Sequence, residues 1–219
     1  MMIRMGERSE IFQSFRSPRL INSLRVAEDC HLDRKGALNY LSLYRTELLT
    51  AIQSIELDRV NRAIDVFVEA RAHNHSIFVC GNGAAGSMAA EFLCDLAKGA
   101  KLRVLPLVDE SPDWRTDPHG VTREGEGFVQ QLKNLAGVGD VVVGMSSSGH
   151  AASLLRAFEY ASRIGCKTVA ITGSTGGKLE TATDAHILVP TSHPGSAADY
   201  LIIICHMIGY YLLNSERVA

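Results

Sequence analysis

Five short apolar runs constrain this chain more than any other feature: "IFVC" (77–80), "VLPLV" (104–108), "VVVGM" (141–145), "TVAIT" (168–172) and "HILV" (186–189). None alternates strictly between apolar and polar residues. A strand with one wet face would alternate, so such runs suit strands covered on both faces, as in a parallel sheet. Helical periodicity separates most of them, over roughly 85–98, 126–136, 151–164 and 197–214. The expected fold is α/β: a three-layer sandwich with a five-stranded parallel sheet and right-handed crossovers.

Two helices are expected before the sheet. From Ala37 to Ile55, Leu38, Leu41, Tyr44, Leu48, Ala51, Ile52 and Ile55 recur at threes and fours, and from Leu57 to Ala72 the pattern continues with Val60, Ala63, Ile64, Phe67 and Val68. Joined by a short link, they read as an αα-hairpin. Residues 1–36 are expected to be a loosely packed extension, and 37–219 a single domain that includes the hairpin. A chain of 219 residues can bury a sizeable core, and 46% hydrophobic with 21% charged residues is a globular composition.

A net charge of −2 gives no electrostatic case for direct nucleic-acid or anionic-membrane contact. No run is expected to reach a membrane span, and the basic start lacks the apolar core of a secretory signal. Cys30, Cys80, Cys94, Cys166 and Cys205 form no CxxC pair, and their odd number argues against a full disulfide set. A reducing, cytoplasmic setting is expected. The polar segment 109–125, with Trp114, is either a functional loop or a surface cover.

Ligands of open α/β sheets bind beyond the carboxyl ends of the strands. Three small-residue turns fall there: "CGNGAAGS" (80–87), "GMSSSGH" (144–150) and "TGSTGG" (172–177). In the second, Ser146, Ser147 and Ser148 stand where a strand hands over to a helix. Free amides at a helix start, serine hydroxyls and Gly149, which would let the backbone approach closely, together suit a phosphate dianion. One serine could instead simply cap the helix. In the first turn, Gly81, Asn82 and Gly83 lack the rest of a dinucleotide fingerprint, so no nicotinamide cofactor is expected. On the following helix, Met88, Ala89, Phe92, Leu93 and Leu96 make an apolar stripe, with Glu91 and Asp95 on its flank. That pair could do general acid/base work, bind a metal, or be a solvated face. His206, inside "YLIIICHMIGYYLL", reads as a core or interface residue, and His150 is better placed to touch a substrate.

The motifs "VCGNG", "GDVVVGMSSSG", "KTVAITGSTGGKL" and "DAHILVP", in this order, resemble the SIS (sugar isomerase) domain family and its phosphoheptose isomerase branch. The likeness covers about residues 37–214 and includes the helical hairpin. It implies a flavodoxin-like sheet and a sugar-phosphate ligand, with the phosphate on Ser146, Ser147, Ser148 and the first turn. It also implies aldose–ketose isomerisation through an enediol, without a redox cofactor. In that branch an acid on the first ligand helix works with a histidine on the last helix, often with zinc between them. Here "GNGAAGSM" places Ala85 at the branch's phosphate serine, with Ser87 as stand-in, and Ala151 at a further serine. Glu91 and Asp95 stand at its His-x-x-x-Glu. Asp199 is kept, Ile202 replaces the ligand glutamine, and Tyr210 replaces the catalytic histidine, with His206 about one turn away. The reading that follows has Glu91 or Asp95 as base, helped by His150, Asp199 or Tyr210. No metal and no cofactor are expected.

The alternative is a non-catalytic SIS protein, either a sugar-phosphate sensor or an interaction adaptor of the replication-initiation kind. Apolar helices beyond what one small sheet can cover predict a homo-oligomer, a dimer or tetramer, and the resemblance implies a tetramer with sites shared between subunits.

Overall fold

The computed structural model describes residues 34–98, 102–108, 125–173, 175–189, 191 and 194–215. The expected extension up to residue 33, Cys30, Trp114 and the rest of 109–124, and His193 lie outside the described residues. Contacts divide the chain after Thr50. The described part of the first unit is most of α1 (Arg34–Gln53), on which Leu38, Leu41 and Leu49 are exposed.

The second unit begins at Ala51 and holds the rest: α2 (Leu57–Ala72), β1 (Ser76–Gly81), α3 (Ala84–Ala97), β2 (Arg103–Pro106), α4 (Gly127–Leu135), β3 (Val141–Ser146), α5 (Ala152–Arg163), β4 (Lys167–Thr172), β5 (Ala185–Leu188) and α6 (Pro194–Ser215). A 3-10 turn (Gly177–Thr181) lies between β4 and β5. All five strands are parallel, in the order β2-β1-β3-β4-β5. The winding direction reverses between β1 and β3, which makes their carboxyl ends the crevice of the sheet.

The expected architecture is borne out. Every residue of β3 is buried, and so is all of β1 except Gly81. Helices α2, α3 and α6 cover one face, and α4 and α5 the other. Behind α4 and α5, Phe78, Phe128, Leu132, Leu154 and Phe158 form a closed cluster. Each such side chain contributes roughly 1.5–3 kcal/mol by leaving water. Gly144 makes this possible, because a Cβ there would lie 2.6 Å from Phe158 Cζ. On the other face Phe67 meets Phe92 edge-on, with centroids 6.0 Å apart.

Three expectations need correction. Val68 is exposed, because the buried stripe of α2 runs through Val60, Ala63, Ile64, Phe67 and Ala70. The second strand stops at Pro106, which brings no N–H to the ladder and is tolerated because β2 is an edge. Ser196–Ser215 does have the length and composition of a membrane span. Half of that stretch is buried, and its residues Leu201, Ile204, Cys205, Ile208 and Leu212 belong to the core, where α6 lies along α3.

Candidate functional site

The three turns emerge side by side, since Gly81 pairs with Met145 and Ser146 pairs with Thr172. In the first, Gly81 and Gly86 let the start of α3 press against the strand end; a Cβ on Gly81 would lie 2.6 Å from the Ala85 carbonyl oxygen. No side chain caps α3; the Ala85 and Gly86 N–H groups donate instead to the Asn82 and Gly83 carbonyls, at 3.1 and 3.0 Å. Beside them lies a cavity of about 350 Å³, lined by Gly81, Asn82, Gly83, Ser87 and Ala90 and closed on the β2 side by Leu107.

The serine turn divides its labour. Ser146 is buried, and its Oγ accepts the Gly149 N–H at 3.0 Å, so this hydroxyl shapes the turn. Ser147 and Ser148 belong to the same turn, and Ser148 Oγ accepts the His150 N–H at 3.3 Å. None of the three caps the helix: the N-cap is Ala151, without a side-chain bond. Gly149 has a different purpose from the one expected. Its φ is +70°, and an added Cβ would lie 1.9 Å from the Gly176 carbonyl oxygen, so the close approach is made by the third turn. Gly173 N–H to Ser146 O at 3.1 Å and Leu179 N–H to Gly149 O at 3.1 Å join those two turns.

Ser153 and His186 were not singled out from the sequence. Ser153 exchanges hydrogen bonds with Asn82 across the crevice, at 2.9 and 3.1 Å. His186 lies buried on β5 under the third turn, 2.7 Å from Thr172 Oγ1 and 3.4 Å from Arg59 Nη1. Arginine can only donate, so Nδ1 accepts, and Nε2 carries the proton and donates to Thr172. Arg59 also pairs with Glu56 at 3.0 Å and Glu180 at 3.5 Å, which ties α2 to the 3-10 turn.

The acid pair separates in the same way. Glu91 is exposed, as on a solvated face, but the Asp95 side chain is only 11% exposed. Across from it, on α6, His206 Nε2 lies 3.7 Å from Asp95 Oδ2. His206 is therefore no core histidine: its side chain is 37% exposed, and Tyr210 stacks on its ring at 5.1 Å with the planes 4° apart. One ligand atom from each of Glu91, Asp95 and His206 falls within 4.8 Å of the others. The expectation of no metal set left His206 out. His150 is exposed at the head of α5, Asp199 is half-buried in α6, and Tyr210 is exposed.

A SIS-domain family model matches residues 41–173, more than half of the chain. The chain belongs to the SIS-domain family. Within it, this SIS protein falls on the phosphoheptose isomerase branch. It is 32% identical to the phosphoheptose isomerase of a Nitratiruptor species over 151 residues, 65% of this chain and 79% of that one. The fold is shared with the phosphoheptose isomerase of Neisseria gonorrhoeae (TM-score 0.71, 22% identity, 80% and 99% of the two chains). It is shared too with the sugar isomerase domain of an RpiR transcription factor from Sphaerobacter thermophilus (TM-score 0.63, 16% identity, 83% and 91%). The crossing of Asp95 and His206 takes α6 from beyond the segment that the family model matches.

Proposed function

We propose that this SIS protein is an aldose–ketose phosphosugar isomerase of the phosphoheptose (sedoheptulose 7-phosphate) type. The observation that carries the reading is the meeting of a buried carboxylate, Asp95, with His206 at 3.7 Å, on a helix that starts at the crevice turn. The phosphate docks on the Ser147 and Ser148 hydroxyls and the open amides at the head of α5, with Ser146 and Gly149 shaping that turn. The sugar lies toward Gly81, Asn82, Gly83 and Ser87. Glu91 or Asp95 removes the proton from the carbon next to the carbonyl, while an acid protonates the carbonyl oxygen to give the enediol. Returning a proton to the neighbouring carbon, with loss of the other hydroxyl proton, completes the exchange, so no electrons leave the substrate. His150, Asp199 or Tyr210 assists.

Incubation with pentose, hexose and heptose phosphates in deuterated water tests this. Deuterium should enter at the carbon adjacent to the carbonyl. Binding without exchange supports the second reading, a sensor or adaptor, which Tyr210 at the branch's catalytic histidine position favours. Absence of binding overturns both sugar-phosphate readings.

Assembly as a homo-oligomer, a dimer or tetramer, belongs to the same proposal. It is supported by exposed Leu38 and Leu41 on α1 and exposed Tyr211 on α6. A cytoplasmic setting accords with Cys80, Cys94, Cys166 and Cys205, all free thiols.

A further inference from the structure

We propose that His186 is a positioning residue for the phosphate seat: with a neutral ring it holds the third turn against the serine turn, and a second ring proton releases it. The inference rests on reading Ser147 and Ser148 as phosphate ligands, and it adds control of that seat by pH.

Contact runs from the ring to the seat without a gap. His186 is 7% exposed, and its Nε2 donates to Thr172 Oγ1 at 2.7 Å. Thr172, fully buried, ends β4 where the third turn departs. Gly176 lies over the ring: its φ is +81°, and a Cβ there would come within 2.9 Å of His186 Cε1. Beyond it, a Cβ on Gly177 would lie 2.5 Å from the Gly149 carbonyl oxygen and 2.8 Å from that of Ser148. The imidazole thus reaches the serine turn through glycine backbone, with no flexible side chain in that line to absorb a shift. The Gly173 and Leu179 N–H groups, donating to the Ser146 and Gly149 carbonyls, lock the two turns together. Close-packed interiors pass a displacement on.

Charge makes the hold conditional. Among the described residues, the groups that act on the ring are Arg59 on α2, Glu56 at the cap of α2 and Glu180 on the 3-10 turn; β4 presents the neutral Thr172. Arg59 Nη1 lies 3.4 Å from Nδ1 and pairs with Glu180 at 3.5 Å, while Nε pairs with Glu56 at 3.0 Å. While Nδ1 accepts, one guanidinium joins α2, β5 and the 3-10 turn. A second proton occupies Nδ1, removes that acceptor and sets two cations face to face. Burial first, and Arg59 with it, hold the ring pKa below 6.5 against the pull of Glu180 and Glu56. The seat is therefore set at neutral pH and loosened in acid.

Calorimetry with sedoheptulose 7-phosphate at pH 8.0 and 5.0 tests this on full-length wild type and three variants. H186F fills the space without either hydrogen bond and should weaken binding several-fold at both pH values. Gln can donate to Thr172 and accept from Arg59 but takes up no proton, so H186Q should rescue binding. The phosphate itself titrates at about pH 6 and weakens binding in every variant, so the comparison between variants decides. Binding that needs the neutral ring falls about tenfold per pH unit below the ring pKa, so wild type should lose about threefold or more beyond the loss in H186Q. E180Q removes a carboxylate that favours the cation, and it should move the wild-type loss to lower pH.

Hydrogen exchange on ligand-free wild type needs no variant. Corrected for intrinsic rates, the Gly173 and Leu179 N–H groups should lose protection at pH 5.0 while Phe78 in β1 keeps its own. Equal acid losses in wild type and H186Q, full affinity in H186F, or unchanged protection at 173 and 179 would overturn the inference and leave the phosphate reading standing. No binding by wild type at pH 8.0 would overturn both.

Discussion

Asn82 and Ser153 hold each other across the crevice: the Asn82 amide donates to Ser153 Oγ at 2.9 Å, and Ser153 Oγ reaches Asn82 Oδ1 at 3.1 Å. One residue directly follows β1, and the other lies in the opening turn of α5. Removing either should loosen both ends of the crevice at once. S153A is expected to lower stability by about 1 kcal/mol in urea denaturation. N82A should do likewise and should also weaken sugar-phosphate binding. A full-affinity N82A variant would show that the first and second turns do not act as one site.

The serines should separate by role. S147A and S148A are each expected to reduce sugar-phosphate affinity about tenfold or more, since a hydrogen bond to a charged group contributes roughly 1.5–3 kcal/mol. Neither should change the melting temperature much. S146A should do the reverse, lowering stability by about 1–3 kcal/mol as the Gly149 N–H loses its acceptor. Calorimetry and thermal melts on the three variants decide it; an S148A protein that binds normally refutes the phosphate assignment.

Gly149 is expected to tolerate no side chain. G149A places a methyl group against the Gly176 carbonyl oxygen and strains a left-handed backbone, at about 2–4 kcal/mol together. The loss should appear as a shifted urea midpoint, with faster amide hydrogen exchange over 175–179. Exchange confined to 81–87 instead would refute the contact.

His186 gives stability a pH dependence of known sign. Burial is the main cause that lowers its pKa below 6.5; the carboxylates of Glu180 and Glu56 oppose the shift, and the Arg59 charge adds to it. A second ring proton would sit on Nδ1, facing the Arg59 guanidinium. Below about pH 6.5 the unfolded chain takes up that proton before the folded one does, so stability falls as pH drops from there toward the folded pKa. Urea midpoints at pH 7.5 and 5.5 should differ more for wild type than for H186Q. Equal slopes would remove His186 as the source.

What the sequence alone determined is the architecture. Residues 141–145 and 168–172 are apolar without alternation, and only a sheet covered on both faces buries such runs, so the layers, the strand count and the positions of the three turns could all be read locally. Tertiary structure decided which polar atoms meet. Glu91 and Asp95 looked alike from their spacing, yet the crossing with α6 at Gly209 buries one carboxylate and leaves the other in water. Gly149 suggested an open seat for a ligand, and the third turn fills that space. His206 read as a core or interface residue because its neighbours are apolar; a helix buries a stripe and not a segment, and the packing of α6 along α3 left His206 out of the core. Periodicity records which face is apolar; only the packing of one element on another fixes what stands opposite a given side chain.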